Sequence, residues 1–306
     1  MSIRVTFLGT SGAIPTLQRS LPAVLIQRGN ELLMLDCGEN VQRQMLQAKI
    51  GFQKKTKIFL SHLHGDHVLG LPGLLQSMAL MDRKRVIDIY GPEGTAAFLT
   101  CVQDALHFGL TFDVQIHEIH ETGTVCDETE YAVKSVWANH VTPTLAYGFL
   151  EKTRPGKFFP EKAFALQIPK GILWSKLQHG KSITLPDGTI VTPQQVMGPV
   201  RRGRKIVYSG DTRPFPEFTS FAEGADLLVH EATFDDTLSE KAEVDGHSTP
   251  SQAATQAKRA KVKQLVLTHV SARYTDVGLL LEQAKRIFPE TTVASDFLVL
   301  ELPLGE

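Results

Sequence analysis

The chain has 306 residues, 32 Lys and Arg against 33 Asp and Glu, and 42% hydrophobic residues. That length and apolar content exclude a disulfide-dependent miniprotein and a disordered or fibrous chain, and they leave room for a full hydrophobic core. A formal charge of −1, taken as a whole-chain average, carries no sign of a polyanionic partner. No run approaches the roughly 18 uncharged apolar residues of a membrane span. The first residues lead straight into a strand-like stretch instead of a signal peptide, and Cys37, Cys101 and Cys126 lack CxxC spacing. The chain therefore reads as a cytoplasmic protein with free thiols and no membrane partner.

In chain order, Ile3–Leu8 alternates and breaks at Gly9-Thr10-Ser11-Gly12, while Ala23–Gln27 and Glu31–Leu35 are strand-like runs split by Gly29-Asn30. This is the pattern of a β-meander. Gln42–Ile50 has a helical composition, Lys57–Leu60 reads as a short buried strand, and Gly70–Met81 spaces Leu71, Leu74, Leu75, Met78 and Ala79 as one face of a helix. Further strands are predicted at Val86–Tyr90, Tyr131–Trp137, Ala146–Leu150, Lys205–Tyr208, Asp226–Val229, Gln264–Thr268 and Phe297–Leu302. Helices are predicted at Thr95–Leu106, Pro250–Ala260 and Val277–Phe288. Interspersed strands and helices without an internal repeat predict two mixed sheets covered by helices.

One segment stands apart. From Lys152 to Lys205, 11 basic residues face only Glu161 and Asp187, whereas the rest of the chain carries 21 bases and 31 acids. The near-zero total is thus +9 in this stretch and −10 elsewhere. Turn formers crowd it, and Phe158, Phe159 and Trp174 interrupt it, so it reads as an inserted, protruding arm. A solvated basic loop would also fit the charge, but the interleaved aromatics favour a phosphate-backbone footprint.

The densest chemistry lies in Ser61-His62-Leu63-His64-Gly65-Asp66-His67. Residues two apart in an extended segment project to one side, so His62 and His64 can grip a single ion. Beyond the Gly65 turn, Asp66 and His67 aim at a second point nearby. Imidazoles with a carboxylate suit Zn²⁺. His140, Asp211 and His269 each follow a predicted strand, at the edge where sites of α/β proteins gather. His107, His117, His120 and His179 have no such placement.

His62-x-His64-x-Asp66-His67 with His140, Asp211 and His269 resembles the metallo-β-lactamase superfamily. Within it the chain is similar to the short-form ribonuclease Z family over nearly its whole length. The resemblance rests on Phe7-Leu8-Gly9-Thr10-Ser11-Gly12, Leu35-Asp36-Cys37-Gly38-Glu39, Ser209-Gly210-Asp211-Thr212, His230-Glu231-Ala232-Thr233, Gly246-His247-Ser248-Thr249, and Thr268-His269-Val270-Ser271 with Arg273-Tyr274. The HxHxDH run marks only the superfamily; the later tetrads and the basic arm mark the family.

The resemblance implies a four-layered αββα metallo-β-lactamase sandwich, a single domain over 1–306 with residues 152–200 inserted as a tRNA-binding arm. It implies two Zn²⁺ per subunit, Mn²⁺ or Fe²⁺ being compatible with the same donors. His62, His64 and His140 would hold one ion, Asp66, His67 and His269 the other, with Asp211 bridging and Asp36 orienting a ligand histidine. The implied activity is endonucleolytic removal of the 3′ trailer of precursor tRNA, leaving a tRNA 3′-hydroxyl. A metal-bridging hydroxide would attack, Asp66 would hold its proton, and His247 paired with Glu231 would protonate the departing oxygen.

In such a homodimer each arm presents substrate to the partner's site. Here its expected RNA-binding bases are Arg154, Lys157, Lys162, Lys170 and Lys176, with Gly156 and Gly171 as flexible points; Arg273 is either a phosphate contact or an ordinary surface arginine. A small-molecule phosphodiesterase or arylsulfatase of the same superfamily shares the ligand set but has no use for the arm. A non-catalytic RNA-binding protein would have lost ligands. One departure stands out: relatives often carry Pro-x-Lys-x-Arg-Asn where this chain reads Pro15-Thr16-Leu17-Gln18-Arg19-Ser20, so the cut position is left open.

Overall fold

The computed structural model describes residues 2–304. The chain folds as two compact units, one taking the residues up to Leu150 together with Lys205–Pro303, the other built on Glu151–Arg204.

Two seven-stranded sheets organise the first unit. One runs in the order Val299–Leu302, Ile3–Gly9, Ala23–Arg28, Glu31–Leu35, Lys55–Phe59, Ile87–Pro92, Val114–Ile119; the other runs Thr291–Val293, Leu265–Thr268, Leu227–Glu231, Lys205–Tyr208, Leu145–Glu151, Tyr131–Trp137, Gly123–Asp127. Alternation along the strands explains the layering. In Ala23–Arg28 and Glu31–Leu35, Val24, Ile26, Leu33 and Leu35 turn to a core shared with Tyr147, Phe149, Ile206, Leu227 and Val266 of the other sheet. Their neighbours Leu25, Leu32 and Met34 turn outward against Leu71, Leu74, Leu75 and Met78 of the Gly70–Leu80 helix. On the far side, Val207, Leu228 and Leu267 pack under Phe218, Ala253, Ala254, Ala257 and Ala284. Strands apolar on both faces therefore lie between two helical layers, which is the expected αββα sandwich.

Local signals set several helix starts. Pro250 opens Pro250–Arg259 behind the Thr249–Gln252 capping box, and the helix's small residues let it lie close to the sheet. The structure also departs from the sequence expectations. Helices Pro216–Ala222 and Ser239–Asp245 and strands Val114–Ile119, Gly123–Asp127 and Thr291–Val293 carried no clear periodicity. Each of those strands closes or flanks a sheet edge and is only partly buried, so its apolar residues are sparse. Helix formation also begins earlier than expected after the histidine motif, in a short turn at Gly65–Val68 that carries Asp66 and His67.

The topology positions the site. Lys205–Tyr208, Leu227–Glu231 and Leu265–Thr268 are parallel neighbours, so their C-terminal ends open on one edge, where Asp211, Glu231 and His269 follow.

The second unit has its own small core. Ala163, Ile168, Trp174, Leu177, Ile183, Val191 and Val196 come together from helices Pro160–Ala165, Ile172–Gln178 and Pro193–Val196 and the Ile183–Thr184/Ile190–Val191 ladder. Two expectations change here. Trp174 is 9% exposed, its ring 5.0 Å from Phe158 and its Nε1–H donating to Ile168 O, so these aromatics build the core and are not offered to a ligand. Gly156 is no flexible point: a Cβ there would lie 2.0 Å from Gly198 O, so the position serves a close backbone crossing. Gly171, at φ 139 with nothing nearby, keeps that freedom.

The ends of this unit meet in a bidentate pair, with Arg204 Nε and Nη2 2.9 and 2.7 Å from the Glu151 carboxylate and both side chains nearly excluded from solvent. Glu151→Ala removes the carboxylate that pairs this guanidinium and should cost about 3–5 kcal/mol. The loss should appear as faster amide hydrogen exchange within residues 151–204. Equal acceleration throughout the chain would show that the segment is not an independently stable unit.

Candidate metal centre

The edge of the sandwich gathers side chains from five separate elements. Donor atoms of His62, His64, His140 and Asp211 lie within 4.8 Å of one another, and so do those of Asp66, His67 and His269. His62 and His64 follow the Lys55–Phe59 strand, and Asp66 and His67 sit on the Gly65–Val68 turn. His140 lies beyond Tyr131–Trp137, Asp211 beyond Lys205–Tyr208, and His269 beyond Leu265–Thr268 at φ 57.

Three of the imidazoles share one arrangement: a nitrogen facing away from the cluster is held by a neighbour. His67 Nδ1–H donates to Asp36 Oδ2 at 2.8 Å, His140 Nδ1–H to Gly246 O at 2.7 Å, and His62 Nδ1 meets Ser61 Oγ at 2.9 Å. The other nitrogens converge. His62 Nε2 is 2.9 Å from His64 Nδ1, and His67 Nε2 is 3.3 Å from His269 Nε2. His140 Nε2 and Asp211 Oδ1 are buried with no hydrogen-bond partner at all. Buried polar atoms without partners are rare, and lone pairs facing one another at these separations are what a cation relieves. The residues fit divalent ions.

Electrostatics agree with that donor set. Burial, followed by neighbouring imidazoles for His62, holds His62, His64 and His140 below the ordinary histidine range and so neutral. Burial opposes ionisation of Asp66 and Asp211, but the surrounding histidines outweigh it and keep both carboxylates charged. His67 goes the other way: burial disfavours its charge, yet Asp211 and Asp36 raise it well above the ordinary value. A proton there occupies the place an ion would take, so ion binding releases it.

Asp36, at φ 59 and fully buried, accepts from Ser61 N–H at 2.6 Å, Ser61 Oγ at 2.8 Å, His67, and the Tyr208 hydroxyl at 2.6 Å. Tyr208 and Ser61 were not singled out from sequence. Tyr208 looked like one more apolar residue closing a buried strand, and its hydroxyl acquires a role only when the second sheet packs on the first.

His247 lies at the rim, its Nδ1 2.8 Å from Glu231 Oε1 and 3.9 Å from Asp211 Oδ2. Asp211, His247 and His269 also bring donor atoms within 4.8 Å, but the His247 nitrogen near them is already bound to Glu231. Burial opposes charge on His247, and Glu231 overrides it, raising the ring to about 9. Glu231 is itself buried and further held by Thr212 N–H at 2.9 Å and Thr233 N–H at 3.1 Å. Gly246 precedes His247 at φ 85, where a Cβ would lie 2.6 Å from His140 Nδ1; only glycine permits this approach.

Arg273 is exposed and lies over the Phe234 ring at 4.8 Å, while Phe234 meets His247 edge-on at 5.8 Å. Its guanidinium is thus held by stacking, not loose. Arg154, Lys157, Lys162, Lys170 and Lys176 belong to the second unit. The four lysines are exposed, Lys162 over the Phe159 ring, while Arg154 is half-buried in a backbone bridge with Arg201. Among the described residues no helix is long and apolar enough to cross a membrane.

Comparison with known proteins agrees with this geometry. A family model described as anti-Pycsar protein Apyc1 matches residues 3–154, and one described as beta-lactamase superfamily domain matches residues 161–270. The ribonuclease Z of Methanosarcina acetivorans is 45% identical over 302 residues, 98% of each chain. That of Myxococcus xanthus is 42% identical over 309 residues, 99% of each. The crystal structure of human tRNase Z, short form, is 30% identical, covers 98% of this chain and all of its own, and superposes with a TM-score of 0.74. A diphosphatase of the PhnP family, at 19% identity and a TM-score of 0.65, shares the fold. With full-length identity at this level and a metal-binding site at the edge of an αββα sandwich, the chain belongs to the ribonuclease Z family of metallo-β-lactamase-fold proteins.

Proposed function

We propose that the chain is a two-zinc endoribonuclease that removes the 3′ trailer of precursor tRNA. The observation that carries the metal reading is the buried, unpartnered pair His140 Nε2 and Asp211 Oδ1 amid inward-facing imidazoles. His62, His64 and His140 would hold one Zn²⁺, Asp66, His67 and His269 the other, with Asp211 shared; Mn²⁺ or Fe²⁺ suit the same donors. When bound, such ions supply a nucleophile at neutral pH and offset phosphate charge.

The chain's own groups handle the protons. Asp66, held anionic and fixed by Ala13 N–H at 2.8 Å, accepts the proton of the attacking water. His247, protonated through Glu231, donates from Nε2 to the departing oxygen, which leaves as a hydroxyl on the tRNA 3′ end. Arg273 would meet a phosphate oxygen beside His247; its stacking on Phe234, which meets the His247 ring edge-on, supports that role.

Substrate gripping falls to the basic unit, residues 152–200, as an arm inserted in one catalytic domain. Arg154, Lys157, Lys162, Lys170 and Lys176 supply positive charge for the tRNA backbone. The same reading makes the protein a cytoplasmic homodimer. Exposed Leu46, Leu69 and Leu80 on or beside the Val41–Gln47 and Gly70–Leu80 helices supply apolar surface for a second copy.

Chelation should abolish trailer cleavage and Zn²⁺ should restore it, while His64→Ala stays inactive after restoration; full activity in that variant overturns the two-ion reading. Alanine at the arm bases should weaken precursor binding and flatten its salt dependence while sparing bis-(p-nitrophenyl) phosphate turnover, and equal losses on both substrates would contradict the arm's role. In metal-free protein, the His247 ring should titrate near 9 by NMR and fall towards the ordinary range in Glu231→Gln. His247→Ala should lower RNA cleavage about 10²–10⁴-fold but affect a nitrophenolate leaving group far less, because that group departs without a proton.

A further inference from the structure

Thr233 closes the His230-Glu231-Ala232-Thr233 tetrad, and its hydroxyl has two close partners of opposite chemistry. Glu231 Oε2 lies 2.8 Å away and His269 Nδ1 lies 2.8 Å away, with His247 Nδ1 more distant at 3.3 Å. A hydroxyl has one proton to give. Glu231 is surrounded by donors: Thr212 N–H and His247 on Oε1, Thr233 N–H on Oε2. It is therefore an acceptor at both oxygens, and the Thr233 proton points to Oε2. The Thr233 oxygen can then only accept, so His269 must carry its proton on Nδ1. The lone pair of His269 is thereby forced onto Nε2, the nitrogen that faces Asp211 Oδ2 at 3.3 Å and Asp66 Oδ2 at 3.4 Å.

We infer that Thr233 is a positioning residue for the metal centre, relaying the Glu231 carboxylate to His269 and fixing that histidine in its metal-binding tautomer. Glu231 then serves two imidazoles at once. Through Oε1 it holds His247 for proton donation, and through Oε2 and Thr233 it presents the His269 lone pair to an ion. Retention of metal and protonation of the leaving group share one carboxylate. The alternative tautomer would either set the Nδ1 lone pair against the Thr233 oxygen or turn the hydroxyl to Nδ1 and leave Glu231 Oε2 with the Thr233 N–H alone, in a position where Thr233 is 4% and His269 3% exposed. Replacement of such an outer partner of a ligand histidine ordinarily weakens metal binding about 10–100-fold.

The inference rests on the assignment of His269 as a ligand, and the test separates the two. Zn²⁺ is titrated against a chromophoric chelator into the stripped wild-type protein, Thr233→Val and Thr233→Ser. One of the two binding steps should weaken about 10–100-fold in Thr233→Val, which keeps the shape and loses the hydroxyl, and Thr233→Ser should restore it. Unchanged binding in Thr233→Val, or an equal loss in Thr233→Ser, overturns the relay. A wild-type protein that binds no Zn²⁺ overturns the ligand assignment instead. Should Thr233→Val fail to fold, ¹⁵N NMR of the metal-free wild-type protein decides the matter: a proton on His269 Nδ1 supports the relay, whatever Nε2 carries, and an unprotonated Nδ1 refutes it.

Discussion

The centre depends on one buried carboxylate. Asp36 leaves the Glu31–Leu35 strand of one sheet, takes the hydroxyl of Tyr208 from the other, and holds both Ser61 at the head of the histidine motif and His67 on its helical turn. It therefore ties the two sheets together at the edge where the donors assemble. A buried charge is tolerated only when its lone pairs are filled, and removal of one partner from such an arrangement costs about 3–5 kcal/mol. The same demand for partners orients His67, so the constraint that closes the sandwich also aims a nitrogen at the centre.

Glu231 repeats the logic on the opposite side. Buried at the end of a parallel strand, it is satisfied by two backbone amides, His247 and Thr233, all of which belong to the site. Two buried carboxylates thus organise the imidazoles from behind, and the cluster between them is left with nitrogen and oxygen lone pairs and few protons. A cation fits such a cavity and a neutral ligand does not.

The basic unit follows different rules. Its interior is small, seven buried apolar residues with Trp174 among them, and its ends are closed by the Glu151–Arg204 pair. Its lysines remain in solvent, where a phosphate backbone can meet them at little desolvation cost. The near-zero net charge is thus an average over a segregated chain, with a net excess of bases in this unit and of acids elsewhere.

Much was legible in the sequence because its causes are local. His62 and His64 share a side because an extended chain alternates, and interspersed strands and helices without a repeat imply two sheets covered by helices. His140, Asp211 and His269 could be placed at strand ends, and the arm is a matter of counting charge. Their convergence came only through the family resemblance and not from the residues themselves, since it depends on strand order and on which ends of the strands share an edge. Not legible at all were the roles of Tyr208, Ser61 and Thr233, ordinary residues whose hydroxyls each reach a partner 25 to 172 positions away. Phe158 and Trp174 were misplaced at the arm's surface for the same reason: composition records that an aromatic is present, whereas only tertiary packing decides whether its ring is buried against its own unit or left for something else. The sequence by itself determined the donor types, the layer count and the charge segregation, which follow from residue identity and spacing. Tertiary structure alone decided which nitrogen of His67, His140 and His269 faces inward, because that choice belongs to the long-range partner holding the other one.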